Sequence, residues 1–264
     1  MKLIPIQIAL STALALSGTA FAQTAAPAAP AAATSPWSYN LSLTSNYKFR
    51  GQDQDSSKTS LFKPALQGGV DYANANGFYV GNWNSTVNFP DPAGNKAKLE
   101  IDLYGGYKFS KGDLGFDLGA LQYYYPGATK ANTTELYAAV SYGPVTAKYS
   151  TTISKGYFGT GFATNDGRGT GYFNLAYAKE VTPKVTLKAS IGQTDFRKAI
   201  NNAGTPDFTD YSVGASYDLG NGLALAGALQ GASQTNNAAF NYTVNGTTRS
   251  LNRNAFIVTL TKSL

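Results

Sequence analysis

Glu100 and Asp102 are two residues apart, so on an extended chain their carboxylates share one face about 7 Å apart. That spacing suits paired acid–base chemistry or a divalent cation. It suits equally well two lining residues that pair with Lys98, Lys108 or basic residues of neighbouring strands, and this plainer reading is preferred. Lys48 and Arg50 repeat the spacing with cations. An arginine fork fits carboxylate or phosphate, so the pair either holds an anion or bonds a neighbouring Asp or Glu; both readings stand. Gly156–Phe162 is glycine-rich but lacks the Lys-Ser/Thr and the helix start of a phosphate loop. Asn165–Gly169 has one carboxylate and reads as a turn. The 264 residues include no His and no Cys. This removes the Ser-His triad, thiolate catalysis and every site ligated by those side chains. No catalytic residue, metal or cofactor is assigned, and the chain does not read as an enzyme.

The elements that must position these groups follow from one period. Trp37, Tyr39, Leu41, Leu43, Ser45, Tyr47 and Phe49 fall on one face and Ser38, Asn40, Ser42, Thr44, Asn46, Lys48 and Arg50 on the other. That is period 2, the pattern of a strand with one apolar face. The same alternation recurs at 61–72, 78–89, 97–109, 114–125, 134–142, 145–152, 172–180, 185–194, 210–219, 223–232 and 255–264, twelve segments in all, and no window has a helical period. Connections alternate too. Short turns at 73–76, 110–113, 143–144, 181–184 and 220–222 interleave with long loops at 51–60, 90–96, 126–133, 153–171, 195–209 and 233–254.

This predicts an all-β fold: a transmembrane antiparallel up-and-down β-barrel of twelve strands, with short periplasmic turns and longer extracellular loops. A soluble barrel would point its apolar face inward. Here segments of about ten residues suit a tilted bilayer crossing, and aromatics such as Trp37, Tyr39, Tyr47, Phe49, Trp83, Phe89, Tyr107, Phe109, Tyr211 and Tyr217 gather near strand ends. Charges lie mid-strand on the polar face, where a wet lumen accepts both signs. The expected pore lining is Lys48, Arg50, Lys63, Asp71, Lys98, Glu100, Asp102, Lys108, Glu135, Lys148 and Lys188, with Asp117 and Asp218 in the same polar set.

Residues 1–22 have the basic start, apolar run and Ala20-Phe21-Ala22 site of a cleaved export signal. Residues 23–36 are an Ala/Pro-rich periplasmic spacer, and 37–264 form the barrel. The expected location is the cell outer membrane, with its lipid and small hydrophilic solutes as partners. Nucleic acid is not expected, because basic and aromatic residues occupy opposite strand faces.

The opening Ser45-Asn46-Tyr47-Lys48-Phe49-Arg50-Gly51 resembles that of the TorF-type porin family of proteobacteria. Pro64–Tyr72, Gly77–Trp83, Leu99–Tyr107, Tyr123–Gly127 and Thr134–Tyr137 are similar to further blocks of that family. The resemblance covers the N-terminal half, to about Tyr149, and implies an outer-membrane barrel with no substrate to carry over. The chain ends in Leu264, where such barrels usually end in Phe or Trp. The function this predicts is passive diffusion of small hydrophilic solutes through a polar lumen. The alternative is a closed structural or adhesive barrel whose external loops bind a partner.

Overall fold

A computed structural model describes residues 35–90, 96–159 and 166–264. The expected signal segment and all of the spacer but its last two residues lie outside the described residues, as do Thr160, Gly161, Phe162 and Asn165 of the two glycine-rich motifs.

In chain order the strands are β1 (Trp37–Thr44), β2 (Lys48–Phe49), β3 (Gln52–Asp53), β4 (Ala65–Ala73), β5 (Phe78–Pro90), β6 (Lys96–Lys111), β7 (Leu114–Tyr124) and β8 (Thr133–Tyr142). They continue as β9 (Val145–Thr152), β10 (Gly171–Thr182), β11 (Val185–Asp195), β12 (Phe208–Gly220), β13 (Leu223–Ala232), β14 (Asn241–Val244), β15 (Thr247–Ser250) and β16 (Ala255–Ser263). Twelve of them form one closed antiparallel barrel; β2–β3 and β14–β15 are separate hairpins. β1 pairs with β16 to close the wall, Asn40 opposite Ser263 through Thr44 opposite Thr259. The seam reaches the last residue, because the Leu264 N–H donates to the Tyr39 carbonyl at 2.9 Å.

The period decides the faces. Leu41, Leu43, Leu66, Leu103, Ile191, Val213 and Leu229 are exposed on the outside, whereas Ser42, Thr44, Gln67, Ser190, Ser212 and Gln230 are buried inside. This is a soluble barrel turned inside out, as a lipid surround requires. At the seam, inner hydroxyls meet across strands: Ser42 Oγ is 2.9 Å from Thr261 Oγ1, and Thr44 Oγ1 is 2.8 Å from Thr259 Oγ1.

Two expectations are corrected. The first alternating segment does not run in the wall to Arg50. β1 stops at Thr44, and the chain turns into the lumen, carrying Tyr47 and Phe49 away from the outer surface. Trp83 likewise is no girdle residue; it is buried inside, its ring 5.7 Å from that of Tyr47. Both sit in an interior cluster with Val87, Ala97, Leu121, Tyr123 and Tyr125 at the long-loop end. A second cluster of Tyr157, Phe196, Ile200, Phe208 and Phe240 adjoins it. An aromatic row of edge and tilted contacts runs from Tyr123 through Phe49, Phe158, Tyr157, Phe196 and Phe208 to Phe240.

Candidate functional site: the lumen and its inward hairpin

The β2–β3 hairpin enters the lumen because its tip is a two-residue turn. Arg50 (φ +48°) and Gly51 (φ +73°) both adopt the left-handed conformation, which two-residue hairpin turns of the primed type demand. Gly51 also lies against the Gly231 carbonyl, where a side chain would collide. Lys48 then faces Asp53, and Phe49 faces Gln52.

The tip is fastened across the barrel. Arg50 Nη2 donates to both carboxylate oxygens of Glu135 on β8, at 3.0 and 2.7 Å, and Nη1 donates to Tyr157 Oη at 3.0 Å. β8 is five strands round the wall from β1 by way of β4 to β7, so this pair bridges nearly opposite walls. The guanidinium carbon stands 4.0 Å from the Tyr172 ring centre and 4.8 Å from that of Phe49, within cation–π range.

The base is fastened by a knot around Asp53. Lys48 and Lys63 each approach its carboxylate to 3.0 Å, and Arg253 approaches it to 3.3 Å. Lys48, Lys63 and Asp53 have no solvent-exposed side-chain surface. Burial opposes the charge on Asp53, yet the bonded Lys48 and Lys63 outweigh it and hold the carboxyl below its ordinary value. Lys48 goes the other way: burial pushes its ammonium down to about 8 in spite of Asp53. One carboxylate shared among three cations gains more than each cation does. Lys48 Nζ also donates to the Leu251 carbonyl, and Arg253 to the Thr59 and Ser60 carbonyls, which ties the hairpin to the β14–β15 loop.

Glu100 and Asp102 are buried on the inner face of β6. They do not pair with Lys98 or Lys108. Glu100 accepts from Tyr47 Oη at 3.1 Å, and neither acid belongs to an ion pair among the described residues. Lys98 is corrected: it lies on the exposed side and donates to Asn88 Oδ1 at 2.6 Å. A register shift between Thr86 and Phe89 turns the start of β6, so Ala97 packs inside in its place. Lys108 is exposed near the short-turn end, 4.0 Å from Asp117, with its ammonium over the Tyr79 ring. Asp71 accepts from Tyr104 Oη at 2.5 Å. Lys148 is buried with its ammonium 3.8 Å from the Tyr137 ring centre, and Lys188 is half-buried. The expected lining residues thus divide into a plugged half (Lys48, Arg50, Lys63, Glu100, Asp102, Glu135) and a Tyr–Asp–Lys half nearer the short turns. Asp53, Arg253, Tyr157 and Tyr172 escaped the sequence reading, the first three because they lie in loops where no period exists.

Fold and lining together define a porin-like barrel with an inward-folded hairpin. The chain belongs to the family described as a bacterial protein of unknown function (Gcw_chp), whose model matches residues 28–264; the match is under that description and not the TorF-type name. Among solved structures it is similar to the NanC porin (TM-score 0.54, 9% identity, 85% of this chain and 97% of that one) and the KdgM porin (TM-score 0.50, 9% identity, 86% and 98%). At such identity the likeness is one of fold. Comparison with curated proteins finds no match.

Proposed function

We propose that this chain is an outer-membrane porin through which small hydrophilic solutes diffuse passively, with the β2–β3 hairpin as its constriction. The observation that carries the reading is the polar inner face on a barrel whose outer face is exposed Leu, Ile and Val. Export by a cleaved segment 1–22 and periplasmic placement of the short turns belong to the same proposal. Twelve strands enclose more than the side-chain-filled eight-stranded case and less than a sixteen-stranded porin, so size and lining charge set selectivity. The test is single-channel conductance of the refolded barrel in a planar bilayer, with the reversal potential taken in asymmetric salt.

One observation favours a second reading. The complete burial of Lys48, Asp53 and Lys63 fits a closed barrel whose external loops bind a partner. A folded barrel that passes no ions at any voltage would decide for it.

A further inference from the structure

Arg50 occupies the lumen as a ligand would. Only the hairpin tip enters the cage formed by Glu135, Tyr157, Tyr172 and Phe158, with Phe49 of the hairpin itself against the guanidinium, while the base is fastened elsewhere by Asp53. Arg50 does not use every polar group there: its own Nε is buried without a hydrogen-bond partner among the described residues, and further acids lie beyond Glu135. Asp102 on β6 stands opposite Tyr123 on β7, and Glu135 on β8 stands opposite Leu121 of that strand, which sets the acids on either side of the buried Tyr123. Tyr123 Oη reaches Glu135 at 3.5 Å. Glu100 Oε2 and Asp102 Oδ1 are buried and have no hydrogen-bond partner among the described residues.

We propose that this cage is a binding site for a small solute carrying a guanidinium or amine, and that Arg50 is its tethered resting occupant. The proposal rests on the channel reading, whose solute class it names. Aromatic faces and carboxylates are the two surfaces that attract an organic cation. An anionic solute would instead face the carboxylate of Glu135 and the negative faces of the rings, so the same geometry disfavours it. Displacement is local: an incoming cation takes over the carboxylate and ring contacts of Arg50, and the two-residue tip lifts while the Asp53 knot stays tied.

The native chain has no cysteine, so Gln52→Cys beside the tip gives the full-length protein a single thiol. In proteoliposomes, labelling of that thiol by a charged methanethiosulfonate should rise at least about fivefold with arginine, within the usual range of coupling between sites. It should not rise with equal citrulline, the neutral isostere. Glu135→Gln should abolish the arginine response. Equal labelling with the two amino acids overturns the cation site, even in a barrel that conducts. Arginine-dependent labelling in a barrel that passes no current overturns the channel and retains the site. Should Gln52→Cys fail to fold, Trp37→Phe leaves Trp83, against Tyr47, as the one indole. Arginine and not citrulline should shift its emission, and an unchanged spectrum with both overturns the proposal.

Discussion

Gly81 on β5 stands opposite Tyr104 on β6, and the Tyr104 ring fills the space that a β-carbon on residue 81 would take. The arrangement recurs with Gly106 and Tyr79, and with Gly119 and Tyr137. A glycine lets each ring lie along the wall and not project; two of the hydroxyls then reach a carboxylate, Tyr104 to Asp71 at 2.5 Å and Tyr79 to Asp117 at 2.6 Å, and the Tyr137 hydroxyl meets that of Tyr79. Aromatic cover of a strand glycine is a recognised sheet device. In a barrel it also keeps bulky side chains out of the passage. Gly81→Ala should therefore lift Tyr104 off Asp71 and cost about 1–3 kcal/mol as overpacking. Gly105→Ala, where the nearest atom is 3.2 Å from the new carbon, should cost less. Urea midpoints of the two refolded variants check this, and equal midpoints would refute the role of the glycine.

Adjacent residues on β6 separate lipid from interior. Leu103 is exposed near the middle of the strand, so Leu103→Arg should cost about 2–4 kcal/mol. Asp102 has a buried oxygen without a hydrogen-bond partner among the described residues, so Asp102→Asn removes a carboxyl whose ionised form burial penalises. It should leave stability unchanged or raised. Folding yield into vesicles measures both, and a larger loss with Asp102→Asn would show the faces to be misassigned.

The wall was legible because lipid outside and polar lumen inside impose one period on every strand. The observed strands β5, β7, β8, β9, β11, β13 and β16 match the predicted segments to within a residue at either end. The hairpin was not legible, because Lys48-Phe49 continues the alternation past the end of β1, while Gln52-Asp53 falls in a stretch with no period. The one local signal was Arg50-Gly51, a weaker turn pair than Asn-Gly. Lys98 failed for a related reason: a bulge moves every later side chain to the other face, and nothing in the composition of 86–98 announces it.

Asp53→Asn should loosen the hairpin base at neutral pH, because an amide cannot neutralise the buried Lys48 and Lys63 or the partly exposed Arg253. Removing one member of a buried ionic group costs about 3–5 kcal/mol. The wild type should show the same loosening only in acid. The folded Asp53 pKa lies below its unfolded value, so the stability it contributes is complete above the ordinary carboxylate range and is lost as pH falls through the folded value. Labelling of Gln52→Cys should stay flat from neutral pH down to that range and rise below it. A rise that begins near neutrality would place the controlling group elsewhere.

Arg50 and Glu135 give the sharpest contrast between a constriction and a permanent plug. Arg50→Met leaves Glu135 buried without its cation, in the company of Glu100 and Asp102, and should cost about 3–5 kcal/mol. The barrel ladder makes no use of Arg50, so the loss falls on the seating of the hairpin and not on the wall. Arg50→Met with Glu135→Gln removes both charges and should recover most of the stability. In a bilayer, Arg50→Met should conduct more than the wild type, because the tip no longer bridges to β8. The double variant should conduct as much or more, since it lacks the bridge as well. Wild-type conductance in both variants would mean that Phe49 and the Asp53 knot seat the hairpin without help from the tip. Loss of the folded barrel in Arg50→Met alone, with recovery in the double variant, would make the bridge a folding element of the wall, and the division between wall and hairpin drawn here would fail.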